Sequence, residues 1–335
     1  MNKKTNNLTK TQQIALQLIK SDAAFLFSLA QLSNRFKSNF LIMAQPYIGV
    51  FVEGSTTWSN KVGLQTPILT KDENLYYNAM RNTIKCFNME YQDFYDLLQI
   101  KFNDSDRHFS NLQKPIAKLL FPNQYYNVGV DCQNGHYCGN TILCSIYSPY
   151  YSYGQIDTTY IYNYSLVVGK IISAFEVKRD NLYNINTNLL FQAKDYMFFH
   201  KCPLKRESFD DFCLFSILCV INYLLLFVDK LYISEFPSKL RFAYLQYYYL
   251  LNIIPDINKK LNTSFYLDDS YNSYLFRNCM AHYGLGVAIS DNEIIDNDSF
   301  GGLTNILFNK DCYTVKNEIY NMLISLSKQL EDYLF

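Results

Sequence analysis

From Thr9 to about Lys37 apolar residues recur at helical spacing: Ile14, Leu16, Leu18, Ile19, Phe25, Leu26 and Leu29 form one broad face, and a helix is expected. From Phe40 to Val52 the character changes. Leu41, Ile42, Tyr47, Ile48, Val50, Phe51 and Val52 suit a pleated surface, Pro46 breaks the run and Gly54-Ser55 closes it, so the pattern predicts strand. Helical spacing returns over Asp72–Phe102, with Asp72 as the cap and Asn78, Arg81 and Asp93 keeping one side wet. Residues 103–111 are polar and read as a break. Between Gln124 and Phe199 the period shortens. Val128, Val130, Ile142, Leu143, Ile146, Tyr160, Ile161, Tyr162, Val167, Val168, Ile171, Ile172 and Phe175 suggest several strands, with turns at Asn134-Gly135 and Tyr153-Gly154.

Helical spacing resumes near Glu207 and lasts to the end. Four long segments are expected: Phe209–Ile233, Lys239–Asn262, Asp269–Ile289 and Asp311–Leu334. Pro237 separates the first two, and Thr263-Ser264 and Asp268-Asp269 fall where the third needs a cap. Residues 290–302 are an acidic loop ending in Gly301-Gly302. No internal repeat or low-complexity tract stands out. The fold class is therefore α+β, with a boundary near Pro203–Arg206: a mixed α/β domain over residues 1–205, given a sensing or regulatory role, then an all-α bundle over 206–335. Phe212–Val228 carries no charge, but it is shorter than the roughly 20 residues a bilayer span requires. Asp210, Asp211, Asp229 and Lys230 bracket it, and a buried core helix is the favoured reading over a membrane span.

At 49% hydrophobic and 17% aromatic, the chain can bury a packed core, which excludes global disorder. Its net charge is zero, but residues 1–205 hold 20 Lys+Arg against 14 Asp+Glu (+6) and residues 206–335 hold 10 against 16 (−6). The second half is thus no general magnet for polyanions; either the first half steers them or the halves attract each other. The nine cysteines have no paired framework and suit a reducing cytoplasm. The run Ala23–Ala30 is short and follows Lys20 and Asp22, so no signal peptide is expected.

The chemistry concentrates in Arg277-Asn278-Cys279-Met280-Ala281-His282-Tyr283-Gly284. Arg is a permanent cation whose planar fork matches phosphate oxygens. His exchanges protons near neutral pH. RNA brings its own nucleophile, the 2′-hydroxyl, so a base, an acid and a phosphate clamp suffice for cleavage. On a helix Asn278 and His282 share a face, whereas Arg277 lies about 140° around from His282. Spacing alone therefore points to a site completed across a two-fold axis. Asn278 is expected to hold either the His282 ring or the scissile phosphate.

Arg277-Asn278-x3-His282 within a helical run resembles the signature of the HEPN family. The resemblance covers about the last 130 residues and implies an all-α HEPN-like helical bundle that forms a homodimer and cuts RNA without metal. It also implies a toxin or phage-defence role, no cofactor, and Arg277, Asn278 and His282 as the catalytic residues. Family members paired with nucleotidyltransferases carry His-x-Tyr, whereas His282-Tyr283 has no gap, which argues against that subfamily. The rival readings are a HEPN-like module that binds nucleotide, RNA or protein without cutting, and a membrane-acting effector using Phe212–Val228. A regulatory ligand or protein is a further expected partner of residues 1–205.

Other groupings have blander explanations. Cys132, His136, Cys138 and Cys144 offer four zinc-type ligands, but buried strand thiols account for them better. Tyr147, Tyr150, Tyr151, Tyr153, Tyr160, Tyr162 and Tyr164 can stack on bases, yet tyrosines more often cover a sheet. Asp291, Glu293, Asp296 and Asp298 lack calcium-loop spacing. Gly284-x-Gly286 lacks the third glycine of a dinucleotide fingerprint.

Overall fold

The computed structural model describes residues 7–32, 39–121, 124–149, 158–177, 183–186, 188–198, 201–295 and 298–335. A mixed region of helices and a small three-stranded sheet precedes a mostly helical region. The expected turn at Tyr153-Gly154, together with Tyr150, Tyr151 and Asp296, lies outside the described residues.

Helix α1 (Lys10–Leu32) matches the expected face. Its first turn is capped from far along the chain, by the Asp291 carboxylate, which accepts from the backbone N–H groups of Lys10 and Thr11 at 3.1 and 2.9 Å. The expected strand at Phe40–Val52 is instead helical: α2 (Phe40–Met43) and α3 (Gln45–Val62). Pro46 sits in the first turn of α3, where its missing N–H costs nothing. Tyr47, Val50, Phe51, Val52 and Trp58 are all buried, so packing overrides their strand preference. Gly54, read as closing the strand, and Gly49 before it are helical positions of close approach. A Cβ on Gly49 would lie 2.7 Å from the Arg81 Cα and 2.8 Å from the Met80 carbonyl carbon. One on Gly54 would lie 2.9 Å from the Tyr283 ring.

Helix α4 (Lys71–Asn82) opens with a capping box between Thr70 and Glu73, so the cap is Thr70 rather than Asp72. A 3₁₀ turn (Thr83–Lys85) leads towards α5 (Tyr91–Leu112). That helix runs through the expected polar break at 103–111. Ser105 is buried there and donates to the Asn127 carbonyl at 2.7 Å, and Asp106 accepts from Tyr125 and Asn127, while Asn103, Asp104, Arg107 and Asn111 are exposed. Helix α6 (Pro115–Leu120) follows.

Strands β1 (Val128–Gln133), β2 (His136–Asn140) and β3 (Phe191–Tyr196) form an antiparallel sheet in the order β2-β1-β3. Val130 pairs with Asn140 on one side and Lys194 on the other. Asn134 and Gly135, at φ 50° and 86°, make the turn expected between β1 and β2. The other expected strands here are helices: α7 (Thr141–Tyr147) and α8 (Thr158–Ala174). Val167, Ile171 and Phe175 recur at intervals of four and are buried together, which is a helical period.

Helix α9 (Phe209–Asn222) continues as a π-helical turn (Tyr223–Asp229). Among the described residues this is the one helix long and apolar enough to cross a membrane, and its apolar window is wholly inside the protein. It packs on β2, α5 and α13 (Cys312–Leu334). Helix α10 (Pro237–Leu261) takes in Pro237 as its first residue, two positions before the expected start at Lys239, and ends on left-handed Asn262. The third expected segment, Asp269–Ile289, is α-helical only over α11 (Tyr274–His282), with a 3₁₀ turn at Leu285–Val287, and α11 is capped by Ser273 rather than by Thr263, Ser264, Asp268 or Asp269. The segment before it is pinned by the Tyr244 hydroxyl, which donates to the Ser273 carbonyl at 2.9 Å. Helix α12 (Gly301–Phe308) joins it to α13. The apolar core runs unbroken past residues 203–206: α1 packs on α10 and α3 on α11.

Candidate functional site

Arg277, Asn278 and His282 all lie on α11 and point to different places. The Arg277 guanidinium lies 4.9 Å from the Tyr274 ring centre and 5.5 Å from that of Tyr248, and donates from Nη1 to Asn278 Oδ1 at 2.8 Å. Asn278 thus holds Arg277, not the His282 ring. The Arg277 Nε is buried without an acceptor. His282 is exposed at the C-terminal end of the helix.

The guanidinium that meets His282 comes from the other half of the chain. Arg81, on the last turn of α4, places Nη2 at 3.1 Å from His282 Nδ1 and 2.8 Å from Nε2. One donor cannot reach both ring nitrogens in the ring plane, because it would then overlap the carbon between them. Arg81 therefore approaches from the side of the ring face, close to both nitrogens. Its Nη1 pairs with Glu53 of α3 at 2.7 Å, with the two side chains 14% and 22% exposed, so this pair is half-sealed. Lys85, one helical turn beyond Arg81, makes no hydrogen bond through its ammonium among the described residues; burial and the charges of Arg81 and Arg277 push its pKa down.

Three cationic side chains, the permanently charged Arg81 and Arg277 and the titratable Lys85, thus cluster where Glu53, among the described residues, pairs with Arg81 and acts on Lys85. The consequence appears at His282. A helix C-terminus ordinarily favours imidazolium. Here partial burial, then the charges of Arg81, Arg277, Arg241 and Lys85, push its pKa down to about 4. At neutral pH the ring is uncharged and able to accept a proton.

Directly behind the site is a buried ionic knot. Arg241 of α10 pairs with Asp22 of α1, both sealed from solvent. The Arg241 guanidinium stacks 3.9 Å from the Tyr283 ring centre, and its Nε donates to the Met280 carbonyl. The Tyr283 and Ser238 hydroxyls donate to Asp22. Tyr283 itself is left-handed, at φ 55°, which ends α11 immediately after His282. The knot holds the last turn of α11 from both halves of the chain.

Sequence reasoning missed Arg81, Lys85, Glu53 and the Asp22–Arg241–Tyr283 knot. One signal was present: Arg-Asn occurs twice in the chain, at Arg81-Asn82 and Arg277-Asn278, and both arginines act on His282. The position of His282 in that pattern falls on Cys86, which is buried, with its thiol pushed up to about 12 by burial.

The other candidates do not assemble a site. Among the described residues no group of three or more His, Cys, Asp or Glu is placed to hold a metal. His136 pairs with Glu331 at 2.7 Å, Cys138 and Cys144 are buried, and Cys132 is partly so. Tyr164 stacks on Tyr76 at 3.6 Å, so it is engaged internally rather than free to stack on a base. A pocket lined by Asn39, Phe109, Tyr126, Asn127, Thr141 and Asp195 shares no residue with the cationic cluster. No protein-family model matches the chain, and no curated protein or solved structure is significantly similar to it.

Proposed function

We propose that this chain is a metal-independent endoribonuclease with a HEPN-like helical region, acting in the cytoplasm. What supports the reading is the Arg81 guanidinium held within hydrogen-bond distance of both His282 ring nitrogens, with Lys85 and Arg277 near enough that their charges, after burial, lower the pKa of the ring. His282 takes the proton from a 2′-hydroxyl as that oxygen attacks the adjacent phosphorus. The guanidinium groups meet the negative charge that grows on the phosphoryl oxygens. The bond to the 5′-oxygen breaks, and the His282 proton passes to that leaving oxygen. The products are a 2′,3′-cyclic phosphate and a 5′-hydroxyl. Asn278 keeps Arg277 oriented. The resemblance adds a homodimer and a toxin or phage-defence role.

The test is RNA cleavage by the full-length protein and its His282→Ala variant, in buffer with excess EDTA. Wild type is expected to cut, and the variant to lose about 10²–10⁴ in rate while keeping the same melting temperature. Equal rates, or loss of wild-type cleavage on chelation with recovery on added Mg²⁺ or Mn²⁺, would defeat the proposal. Retained RNA binding without cleavage by either protein would favour the rival binding module, for which the same cations serve as a phosphate site.

A further inference from the structure

Glu53 stands where a ligand anion is wanted. It is the one carboxylate acting on Lys85 and the partner of Arg81, in a cluster that keeps a surplus of positive charge. Donors remain unused: the Arg277 Nε has no acceptor, and the Lys85 ammonium has none among the described residues. The charges acting on His282 are Arg81 on α4, Lys85 on the following turn, Arg277 on α11 itself and Arg241 on α10. Glu53 on α3 pairs with Arg81, and Tyr249 on α10 lies near Arg81 and Arg277. Arg241 also lowers the His282 pKa, but its guanidinium is already paired with Asp22.

We propose that a single chain holds one RNA phosphodiester between Arg81 and Arg277, beside His282, with Glu53 giving up Arg81 to the phosphate. This rests on the cleavage reading for the identity of the ligand. It differs from it in placing the clamp in residues 1–205 of the same chain rather than across a two-fold axis. The Gly49 crossing brings the α4 backbone against α3 at Arg81, and the Asp22–Arg241–Tyr283 knot fixes the end of α11. Both arginines are therefore positioned before ligand arrives, and little ordering is left for binding to supply. A bound phosphodiester also neutralises the charges that hold His282 unprotonated, so occupancy raises the readiness of the ring to keep the proton it has taken.

The experiment follows the His282 ring by NMR in the full-length protein; the chain has four histidines, and His282→Asn assigns the signal. Two probes are titrated, inorganic phosphate and an oligonucleotide with 2′-deoxyribose at every position, which cannot be cut. Both are expected to raise the His282 pKa saturably, the oligonucleotide at the lower concentration. Arg81→Met combined with Glu53→Gln, which leaves no orphaned carboxylate, is expected to weaken both responses at least tenfold. Arg81→Lys, which keeps the charge and loses the fork, is expected to weaken them less. Glu53→Gln alone is expected to strengthen them. An unmoved His282 signal, or a wild-type response in the Arg81→Met variant, overturns the clamp. A lower half-saturation for phosphate than for the oligonucleotide overturns the diester as ligand. Restored cleavage on mixing Arg81→Met with His282→Asn protein overturns the single-chain arrangement, because it would join arginine and histidine from different copies. If the probes act through Arg81 but RNA is never cut, the cleavage reading fails and the clamp stands. If His282 is needed for cutting and Arg81→Met cuts at the wild-type rate, the reverse holds.

Discussion

Two arginine–carboxylate pairs lie back to back, on either side of the His282–Tyr283 peptide bond. Arg241 and Asp22 are sealed from water, balanced charge for charge, and surrounded by Tyr283, Ser238 and the Met280 carbonyl. Arg81 and Glu53 are mostly buried but still reach solvent, and two further cations unbalance them. The same two residue types therefore do opposite work. A buried charge is tolerable only when matched, so the inner pair is fixed and structural. A surplus of charge at the surface can be relieved by solvent, salt or a ligand, so the outer pair is free to exchange partners. Tyr283 faces the inner pair and His282 the outer one, which places a rigid support directly behind a reactive ring.

The hardest way to break that comparison is to unbalance the inner pair. Arg241→Met leaves Asp22 charged and buried, and is expected to cost about 3–5 kcal/mol of stability. Removing both charges, in Asp22→Asn with Arg241→Met, is expected to cost clearly less than the sum of the two single changes. Urea unfolding of the three variants measures this. Additive losses would mean that the pair is not coupled, and the inner region would then be no more structural than the outer.

A smaller effect is expected where α3 and α4 cross. At Gly49 an added methyl has no room, since the obstruction is α4 backbone rather than a movable side chain. Gly49→Ala is expected to cost about 1–3 kcal/mol as α3 and α4 separate, and to move Arg81 off the His282 ring. Thermal unfolding reads the first effect. A rise in the His282 pKa towards its ordinary value reads the second. Destabilisation with an unchanged His282 signal would show that the crossing supports the core without aiming Arg81.

What the sequence made readable follows from how local each feature is. Helices α1, α9, α10 and α13 carry their apolar faces in their own residues, with local caps at Ser208 and Asp311 for α9 and α13 and Pro237 opening α10, and they lie where periodicity puts them. Helix α3 could not be read that way. Tyr47, Val50, Phe51 and Val52 prefer strand, and they are helical because Gly49 and Gly54 admit α4 and Tyr283 from distant parts of the chain. The same holds for α8, whose tyrosines and β-branched residues mimic a sheet. At the site, Arg277, Asn278 and His282 were visible as a motif, but spacing could say only that Arg277 does not reach His282. The arginine that does reach it is 201 residues earlier, on a helix whose wet face gave no hint of a partner.

The smallest effect concerns pH. In the folded chain the His282 pKa is lowered to about 4, from an ordinary 6.5. Between those values the unfolded chain binds a proton that the folded chain refuses. Stability therefore rises with pH across that window and is lost as pH falls from 6.5 towards 4. His282→Asn removes the titration and keeps a neutral side chain. At pH 7 the variant and wild type are expected to melt together. As pH falls from 6.5 to 4 the variant is expected to gain on wild type, with no further change below 4, because every other titrating group is common to both. The ring is exposed, so solvent screening keeps the difference modest. Adding sulfate is expected to shrink it further, by supplying the missing counter-charge to Arg81, Lys85 and Arg277. A difference independent of both pH and sulfate would mean that these cations do not act on His282. The outer cluster would then be as self-contained as the inner pair.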